Sequence, residues 1–371
     1  MKSDDILEYS PFLDDSKKAD ELFVDALQEV LIFHYDNNEI YRRFCDGRNY
    51  NPHEKRGNIE EVPYIPVQLF KRRKLLSVPE KDIIDIRKSS STSTGTPSVV
   101  YRDKVTLDRY FRSRNKIFDE FINDRGKVHF CLGEQPDRDI TISRNLVNSL
   151  IGERAGKSEQ YYFMNDGTFD WKVFLDLFEE NQRLGKEIGL IYGGTAILYL
   201  YLVKPMIENN IRLKYDGYIA HGGGWKKLQN MQVSKSKFLD ELLAVFDMPV
   251  SNIIDMYGFS ESNSMFIDCE YGNKHVPIWN KVIIRDCQTM KPVEAGKEGI
   301  IQILDVLPYS YPGNSLITDD IGYVCKDKKC KCGRAGQIFK VIKRANGSEA
   351  KGCGDMLADL MERRGTGIND E

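Results

Sequence analysis

Helical and β-like segments alternate through the middle of the chain. Short apolar runs such as VHFCL, IGLIYGG and YIAHGGGW are separated by longer segments with helical spacing, among them KVFLDLFEENQRLG and AILYLYLVKPMIENN. Parallel strands need crossover connections, which are usually helices. The alternation therefore predicts βαβ units, a largely parallel sheet and an α/β fold.

The regions on either side have different patterns. Residues 20–51 carry apolar side chains at helical spacing, which predicts amphipathic helices. Residues 253–324 contain short β-rich pieces divided by Gly and Pro, which predicts a smaller barrel-like or antiparallel subdomain. We expect one large domain over 1–345, with 253–340 as its β-rich subdomain, and a short tail over 346–371.

The composition of the chain argues against several functions. The formal net charge of the 371 residues is only -3, so nucleic acid is not expected as a partner. No apolar stretch approaches the roughly 20 residues that span a bilayer, and the start, MKSDDILEYSPF, lacks a signal-peptide pattern. We expect a cytoplasmic protein whose eight cysteines are reduced and serve in metal binding, nucleophilic chemistry or packing.

A hydroxyl-rich segment, SSSTSTGTPS, occupies residues 89–98. Consecutive hydroxyls and a bare glycine backbone suit a loop that wraps a triphosphate. The candidate phosphate-binding residues are Ser90, Ser91, Thr92, Ser93, Thr94 and Gly95. A disordered linker is the alternative, because Ser/Thr runs are common and no Walker-type Gly-Lys-Ser/Thr is present.

Three turns that follow β-like runs carry further candidates. The first is Tyr257-Gly258-Phe259-Ser260-Glu261, which offers a ring, a hydroxyl and a carboxylate for a base, a phosphate and magnesium. The second contains Gly222, Gly223 and Gly224, where the backbone can approach a flat ligand closely. The third is Thr318-Asp319-Asp320, which could place a carboxylate against ribose hydroxyls. Each turn also has a simpler interpretation as a tight turn or a surface acidic pair.

In order and spacing, these segments resemble the core motifs of the adenylate-forming superfamily of acyl-CoA synthetases, luciferases and adenylation domains. The resemblance implies that the loop over 90–98 binds phosphate and that the turn at 221–225 contacts adenine. It also implies that the turn at 257–261 is the Tyr-Gly-x-Thr-Glu motif, in which Glu261 holds magnesium and Ser260 binds phosphate.

The same resemblance covers two later positions. It implies that Asp320 binds ribose and that Arg344 is the arginine of the motif at which the superfamily hinges. Two departures from the superfamily pattern are visible. Thr92 stands where the phosphate loop usually has a glycine, and Asn346-Gly347 replaces a pair of aspartates.

Within that superfamily the chain resembles the LuxE acyl-protein synthetases over nearly its whole length. The matching segments include VPYIPVQLFKRRKLL at 62–76, GGGWK at 222–226 and KGC at 351–353. In that family the mobile C-terminal domain is reduced to a short tail whose Lys-Gly-Cys cysteine receives the acyl group. The resemblance therefore implies an AMP-binding domain of layered βαβ sheets with a small β-barrel-like subdomain, followed by a tail in which Cys353 is the nucleophile.

The local sequence also supports Cys353 as a nucleophile. It lies between two glycines, so its sulfur is expected to be exposed, and the charge of Lys351 would favour the thiolate. An idle surface thiol is the alternative.

Four other side chains have the chemistry of zinc ligands. They are Cys269, His275, Cys330 and Cys332. Phenylacetate-CoA ligase-like relatives have a similar Cys…His followed by Cys-x-Cys-Gly-Arg, which implies a structural metal with no part in the chemistry. Cys325 or Cys287 is an alternative fourth ligand, and independent core thiols are the alternative to a metal site.

Together these features predict an enzyme that uses ATP and Mg²⁺ to convert a carboxylic acid, most simply a fatty acid, into acyl-AMP. Cys353 would then take the acyl group as a thioester for a partner such as an acyl-accepting reductase or a carrier protein. Two alternatives remain. One is an aryl- or acyl-CoA ligase of the phenylacetate-CoA ligase type, and the other is an inactive nucleotide-binding assembly subunit, which Thr92 would accommodate.

Overall fold

The computed structural model describes residues 1–55, 57–89, 96–135, 143–156, 159–165, 168–326 and 329–345. Its α-helices are α1 (Lys2–Asp5), α2 (Ser16–Asn37), α3 (Glu39–Asp46), α4 (Lys104–Phe121), α5 (Ser143–Arg154), α6 (Trp171–Arg183), α7 (Thr195–Ile197), α8 (Lys204–Glu208) and α9 (Lys235–Val245). A π-helical turn, Leu198–Val203, joins α7 to α8. The 3₁₀ turns are Ile6–Glu8, Ile59–Glu61, Val67–Lys71, Glu80–Asp82, Lys226–Met231 and Val250–Asn252.

Eighteen strands are present within these residues. They are β1 (Ile65–Pro66), β2 (Ile83–Lys88), β3 (Val99–Asp103), β4 (Val128–Cys131), β5 (Gln160–Tyr162), β6 (Met164–Asn165), β7 (Thr168–Phe169), β8 (Ile188–Gly194), β9 (Leu213–Lys214), β10 (Tyr218–Gly222), β11 (Phe246–Asp247), β12 (Ile253–Tyr257), β13 (Phe266–Ile267), β14 (Lys274–His275), β15 (Asn280–Arg285), β16 (Gly299–Asp305), β17 (Ser315–Val324) and β18 (Ile338–Arg344).

The helices α2 and α3 confirm the amphipathic pattern predicted for residues 20–51. The Asp15 side chain caps α2 by accepting from the Lys18 N–H at 3.0 Å. The apolar face of α2, which includes Phe23 and Leu31, is buried in the main core, and each such side chain contributes about 1.5–3 kcal/mol. No helix among the described residues is both long enough and apolar enough to cross a membrane.

A six-stranded sheet occupies the centre of the chain. Its order is β13-β12-β10-β8-β4-β5, in which the strands from β12 to β5 are parallel and β13 is antiparallel to β12. The strands β4 and most of β8 are buried at consecutive residues, as expected for strands covered on both faces. The helices α5 to α9 lie in the crossovers. The predicted parallel sheet is therefore confirmed, and the carboxyl ends of its strands meet at one edge.

A second sheet follows in the order β14-β18-β17-β16-β15, with antiparallel neighbours. The short strand β1, far earlier in the chain, adds to β17 in parallel. The prediction of antiparallel strands is confirmed. Among the described residues, however, β14 and β15 end the pairing order and do not pair with each other, so the sheet is open rather than a closed barrel. The strand β12 belongs to the parallel sheet, and the division into domains stays a prediction.

The strands β2 and β3 form a hairpin whose connection contains the hydroxyl-rich segment. At the base of this connection the Ser89 N–H donates to the Ser98 carbonyl, and the Ser98 N–H donates to Ser89 Oγ, both at 2.9 Å. The helix α4 begins directly after β3, where Asp103 accepts from the Thr106 N–H at 2.8 Å. The hairpin therefore presents the predicted phosphate loop from a fixed base.

Candidate active site

Three neighbouring parallel strands end beside one another at the carboxyl edge of the central sheet. In the register of β8, β10 and β12, Gly222 is the partner of both Gly194 and Met256. The turns over 222–224 and 257–261 therefore start at adjacent strand ends. Ligands of open α/β sheets bind at this edge.

The glycine turn after β10 is required by its surroundings. A Cβ added at Gly222 would lie 2.8 Å from the Met256 carbonyl oxygen, and Gly223 has a φ of +77°. A Cβ at Gly224 would meet nothing within 4 Å. The backbone at Gly224 therefore has open space beside it, where a flat ligand could lie. The preceding His221 is buried, its Nδ1 lies 3.0 Å from Thr195 Oγ1, and burial lowers its pKa.

A hydrogen bond joins the Tyr-Gly turn to the second sheet. The Tyr257 hydroxyl donates to Asp320 Oδ2 at 2.8 Å, and the Asp320 N–H donates to Thr318 Oγ1 at 3.1 Å. Burial raises the pKa of the Asp320 carboxyl, whereas the Tyr257 bond and the charge of Arg344 lower it. Two of the predicted site residues therefore lie in contact although 63 positions separate them.

Arg344 lies opposite Asp320 in the pairing of β17 with β18. Its guanidinium donates to Asp319 Oδ2 at 3.2 Å and is substantially exposed. The Gln68 side-chain amide also donates to Asp319. The Thr-Asp-Asp segment thus presents two carboxylates, one bonded to the Tyr-Gly turn and one bonded to the arginine.

Glu261 is buried, with 6% of its surface exposed. Burial raises the pKa of its carboxyl, and the charge of Asp319 raises it further, while the Ser98 hydroxyl and the charge of Lys71 lower it. Ser98 closes the base of the hydroxyl-rich connection. Arg102 on β3 donates to the backbone oxygen of the neighbouring Ser260 at 3.1 Å, so the carboxylate predicted to hold magnesium lies close to the hairpin that carries the hydroxyl-rich segment.

A buried carboxylate supports the residues that follow Glu261. Asp305 Oδ2 accepts from the Ser262 hydroxyl at 3.1 Å, the Asn263 N–H at 3.2 Å and the Ser264 hydroxyl at 2.9 Å. The Leu307 N–H donates to Asp305 Oδ1 at 3.0 Å. Burial raises the pKa of Asp305 to about 6. These bonds hold in place the residues that directly follow the Tyr-Gly turn.

The predicted zinc ligands come together at a second place. The ligand atoms of Cys269, His275, Cys330 and Cys332 all lie within 4.8 Å of one another. The Cys269 and Cys330 sulfurs are 3.6 Å apart, and the Cys332 sulfur is 3.3 Å from His275 Nε2. Tetrahedral zinc, with Zn–S of about 2.3 Å and Zn–N of about 2.0 Å, places its ligands roughly 3.3–3.8 Å apart. Both of these distances fall in that range, and the four side chains form a group that could hold a metal ion.

Two short turns build this cluster. The Gly272 N–H donates to the Cys269 carbonyl at 2.7 Å, and the Gly333 N–H donates to the Cys330 carbonyl at 3.1 Å. Gly333 has a φ of +83°, which favours glycine. Burial lowers the pKa of His275 to about 4, so the imidazole is in the neutral, metal-binding form at neutral pH. The group that the described residues form contains neither of the alternative cysteines, Cys287 and Cys325.

Some predicted residues lie outside the described residues. They are the loop residues Ser90, Ser91, Thr92, Ser93, Thr94 and Gly95, the tail nucleophile Cys353 with Lys351, and Asn346-Gly347. Their sequence roles stay predictions. Both ends of the phosphate loop, Ser89 and Ser98, are described.

Comparison with known families decides the relationship. The family model described as "Acyl-protein synthetase, LuxE" matches residues 2–362. The chain belongs to the LuxE family of acyl-protein synthetases. The family predicted from the sequence motifs is therefore confirmed.

Two curated relatives of this LuxE family member are both named long-chain-fatty-acid–luciferin-component ligase. The one from Aliivibrio fischeri is 31% identical over 346 residues, which cover 91% of this chain and 88% of that protein. The one from Vibrio harveyi is 28% identical over 344 residues, which cover 91% of this chain and 87% of that protein. Both relatives match along almost all of their length.

Solved structures show the fold. A 2-hydroxyisobutyryl-CoA ligase in complex with 2-HIB-AMP and CoA aligns with a TM-score of 0.67 and 14% identity, over 90% of this chain and 70% of that chain. An open conformation of that ligase aligns with a TM-score of 0.65 and 13% identity, over 89% of this chain and 75% of that chain. The LuxE family member thus has the predicted α/β adenylate-forming fold.

Sequence reasoning missed Gln68 and Asp305. Gln68 lies inside the segment VPYIPVQLFKRRKLL, which carried the family resemblance, so attention to its polar residue could have found it. Asp305 lies more than 40 positions after the turn it supports and is the last residue of the buried strand β16. No local pattern marks such a residue.

Proposed function

We propose that this chain activates a long-chain fatty acid as acyl-AMP and then holds the acyl group as a thioester on Cys353. The observation that carries the proposal is the convergence of the turns at 222–224 and 257–261 with Asp320 at one edge of the central sheet. The names of the curated relatives support a long-chain acid as the substrate.

The nucleoside of ATP would lie across the strand ends. Its adenine would lie against the open backbone of the turn over 222–224, where a side chain at Gly222 would clash with the neighbouring strand. Its ribose hydroxyls would donate to the Asp320 carboxylate, which the Tyr257 hydroxyl orients. The two contacts would fix the α-phosphate at the Tyr-Gly turn.

The first half-reaction is a displacement at the α-phosphorus. A carboxylate oxygen of the fatty acid forms a bond to that phosphorus, the bond to the bridging oxygen breaks, and pyrophosphate leaves with the electron pair. Mg²⁺, when bound, neutralises phosphate charge as the bridging oxygen leaves. In this chain Glu261 would hold the ion, and Ser260 with the loop over 90–95 would bind the phosphates.

The second half-reaction is thioester formation. The Cys353 thiolate attacks the carbonyl carbon of acyl-AMP, the carbon–oxygen bond to phosphate breaks, and AMP leaves. The support for this residue is the KGC sequence at 351–353, as in the family resemblance. The acyl group would then pass to a protein partner, an acyl-accepting reductase or a carrier, as the luciferin-component name of the relatives suggests.

A structural zinc ion would be bound apart from this chemistry. The support is the fit of four ligand atoms within 4.8 Å, supplied by two turns at Cys269 and Cys330. Three thiolates and a neutral imidazole form a closed set with no position left for a substrate. The ion would stabilise the junction between β13, β14 and the loop before β18.

Two measurements on the full chain test this function. The first is exchange of labelled pyrophosphate into ATP across a panel of acids, and exchange that depends on a long-chain acid is expected. A chain without acid-dependent exchange would be the inactive nucleotide-binding subunit. The second is labelling by radioactive acid plus ATP on a denaturing gel. A hydroxylamine-labile protein label that is lost in Cys353→Ser is expected, whereas thioester formed only on added CoA would identify a CoA ligase.

A further inference from the structure

Arg102 is a buried arginine that lies between the two elements proposed to bind the phosphates and magnesium. It lies on β3, with 1% of its surface exposed. Its Nη2 donates to the Ser260 backbone oxygen at 3.1 Å, and its Nε approaches Asn263 Oδ1 at 3.5 Å. Ser260 directly precedes Glu261. The guanidinium thus contacts the Tyr-Gly turn on both sides of the proposed magnesium ligand.

The same guanidinium is fixed to the hairpin that carries the hydroxyl-rich loop. Its Nη1 donates to Asp85 Oδ2 at 3.4 Å, and Asp85 on β2 is the register partner of Arg102 on β3. The Asp85 side chain is 9% exposed. A buried guanidinium needs such a carboxylate, because an unpaired buried charge is strongly destabilising. Both strands at the base of the loop are therefore joined to the turn through one side chain.

An aromatic ring fixes the orientation of the guanidinium. The Arg102 Cζ lies 5.3 Å from the centre of the Tyr110 ring, and the Arg114 Cζ lies 4.0 Å from it. Arg114 donates in turn to the Ser264 backbone oxygen at 3.2 Å. A planar guanidinium can stack and donate to several acceptors together, and a lysine ammonium cannot reproduce that geometry.

We propose that Arg102 is a positioning residue for MgATP, which holds the Tyr-Gly turn and the strands β2 and β3 in one fixed relation. The inference rests on the proposed function, because it assigns Arg102 to the nucleotide half of that site. Without the guanidinium, the direct connection between the Tyr-Gly turn and the base of the hairpin would be lost, and small displacements of positioned groups are costly to catalysis. The inference therefore predicts a larger effect of Arg102 on MgATP than on the fatty acid.

The test compares Arg102→Lys with Arg154→Lys in acid-dependent pyrophosphate exchange. Arg154 is a matched control because it is equally buried and bonded to Asp124, away from the turn. We expect Arg102→Lys to raise the KM for MgATP by about tenfold, as for loss of charge-assisted hydrogen bonds, with the KM for the acid within about twofold of wild type. Arg154→Lys should lower the melting temperature without separating the two KM values.

Equal rises in both KM values for Arg102→Lys, or an unchanged KM for MgATP, would overturn the inference. If Arg102→Lys does not fold, Asp85→Asn decides the same question, because it removes the carboxylate that orients the guanidinium. The same separation of KM values is expected, and its absence again counts against the inference. A wild-type chain with no acid-dependent exchange would instead contradict the proposed function.

Discussion

The nucleotide edge and the Cys/His cluster differ in how much of each is supplied by short local segments. At the nucleotide edge, Tyr257 bonds Asp320 63 positions away and Gln68 bonds Asp319 251 positions away. At the cluster, each of two short turns supplies its ligands from within seven residues. The first place depends on contacts between distant parts of the chain, whereas the second consists of two short segments that the pairing of β14 with β18 brings together. Changes at the edge should therefore affect chemistry, and changes at the cluster should affect stability.

The largest separation of chemistry from stability is expected at Glu261. Glu261→Gln should lower the rate of pyrophosphate exchange by about 10²–10³-fold, because the carboxylate proposed to hold magnesium near the leaving pyrophosphate is lost. The melting temperature should stay unchanged or rise, since burial raises the pKa of Glu261 and its ionised form is costly in the fold. The exchange rate and the melting temperature are measured on the same preparation of the variant. A large fall in melting temperature would show that the residue is mainly structural.

The opposite pattern is expected at the metal cluster. Cys330→Ser should abolish bound zinc and lower the melting temperature by about 5 °C or more, while exchange at low temperature stays near wild type. Elemental analysis and melting curves measure the change. Cys287→Ser is the matched control because Cys287 is outside the group, and it should keep its zinc. Full stability in a zinc-free Cys330→Ser protein would remove the proposed role of the ion.

A smaller effect on ATP binding is expected when the hydrogen bond of the Tyr257 hydroxyl is removed. Tyr257→Phe should raise the KM for ATP by about five- to tenfold, the effect of one hydrogen bond to a charged group. The Tyr257 hydroxyl lowers the pKa of Asp320, so its loss should raise that pKa. Because ribose binding needs the carboxylate, the acidic limb of the KM profile should move to higher pH.

The matched control for this change is Tyr323→Phe on the same strand as Asp320. It should leave both the KM for ATP and the pH profile unchanged. Equal effects of the two variants would mean that the Tyr257 hydroxyl has no specific part in nucleotide binding.

The sequence could predict those parts of the fold that depend on local patterns. Alternating β-like and helical segments predicted the parallel sheet, and the resemblance to the adenylate-forming superfamily implied that Tyr257 and the glycines would contact one nucleotide. Residue type and spacing, together with the resemblance to phenylacetate-CoA ligase-like proteins, predicted the grouping of the cysteines with His275. These features follow from periodicity, backbone freedom and ligand chemistry, all of which a short stretch of sequence contains.

Other features depend on contacts that no short stretch contains. The open form of the second sheet follows from pairing orders across many residues, including the addition of β1 to β17. Asp305 is the last residue of the buried strand β16, and Arg102 lies within β3. Their partners come from the Tyr-Gly turn, which is distant in sequence, so their roles appear only when the chain is folded.

The formation of acyl-AMP is tested most directly by an isotope transfer. A long-chain fatty acid with ¹⁸O in both carboxylate oxygens is incubated with the full chain, MgATP and an acyl acceptor, and the AMP is analysed by mass spectrometry. Attack of the carboxylate on the α-phosphorus predicts one ¹⁸O atom in each AMP formed. AMP without ¹⁸O, or ¹⁸O found in inorganic phosphate, would contradict activation at the α-phosphorus.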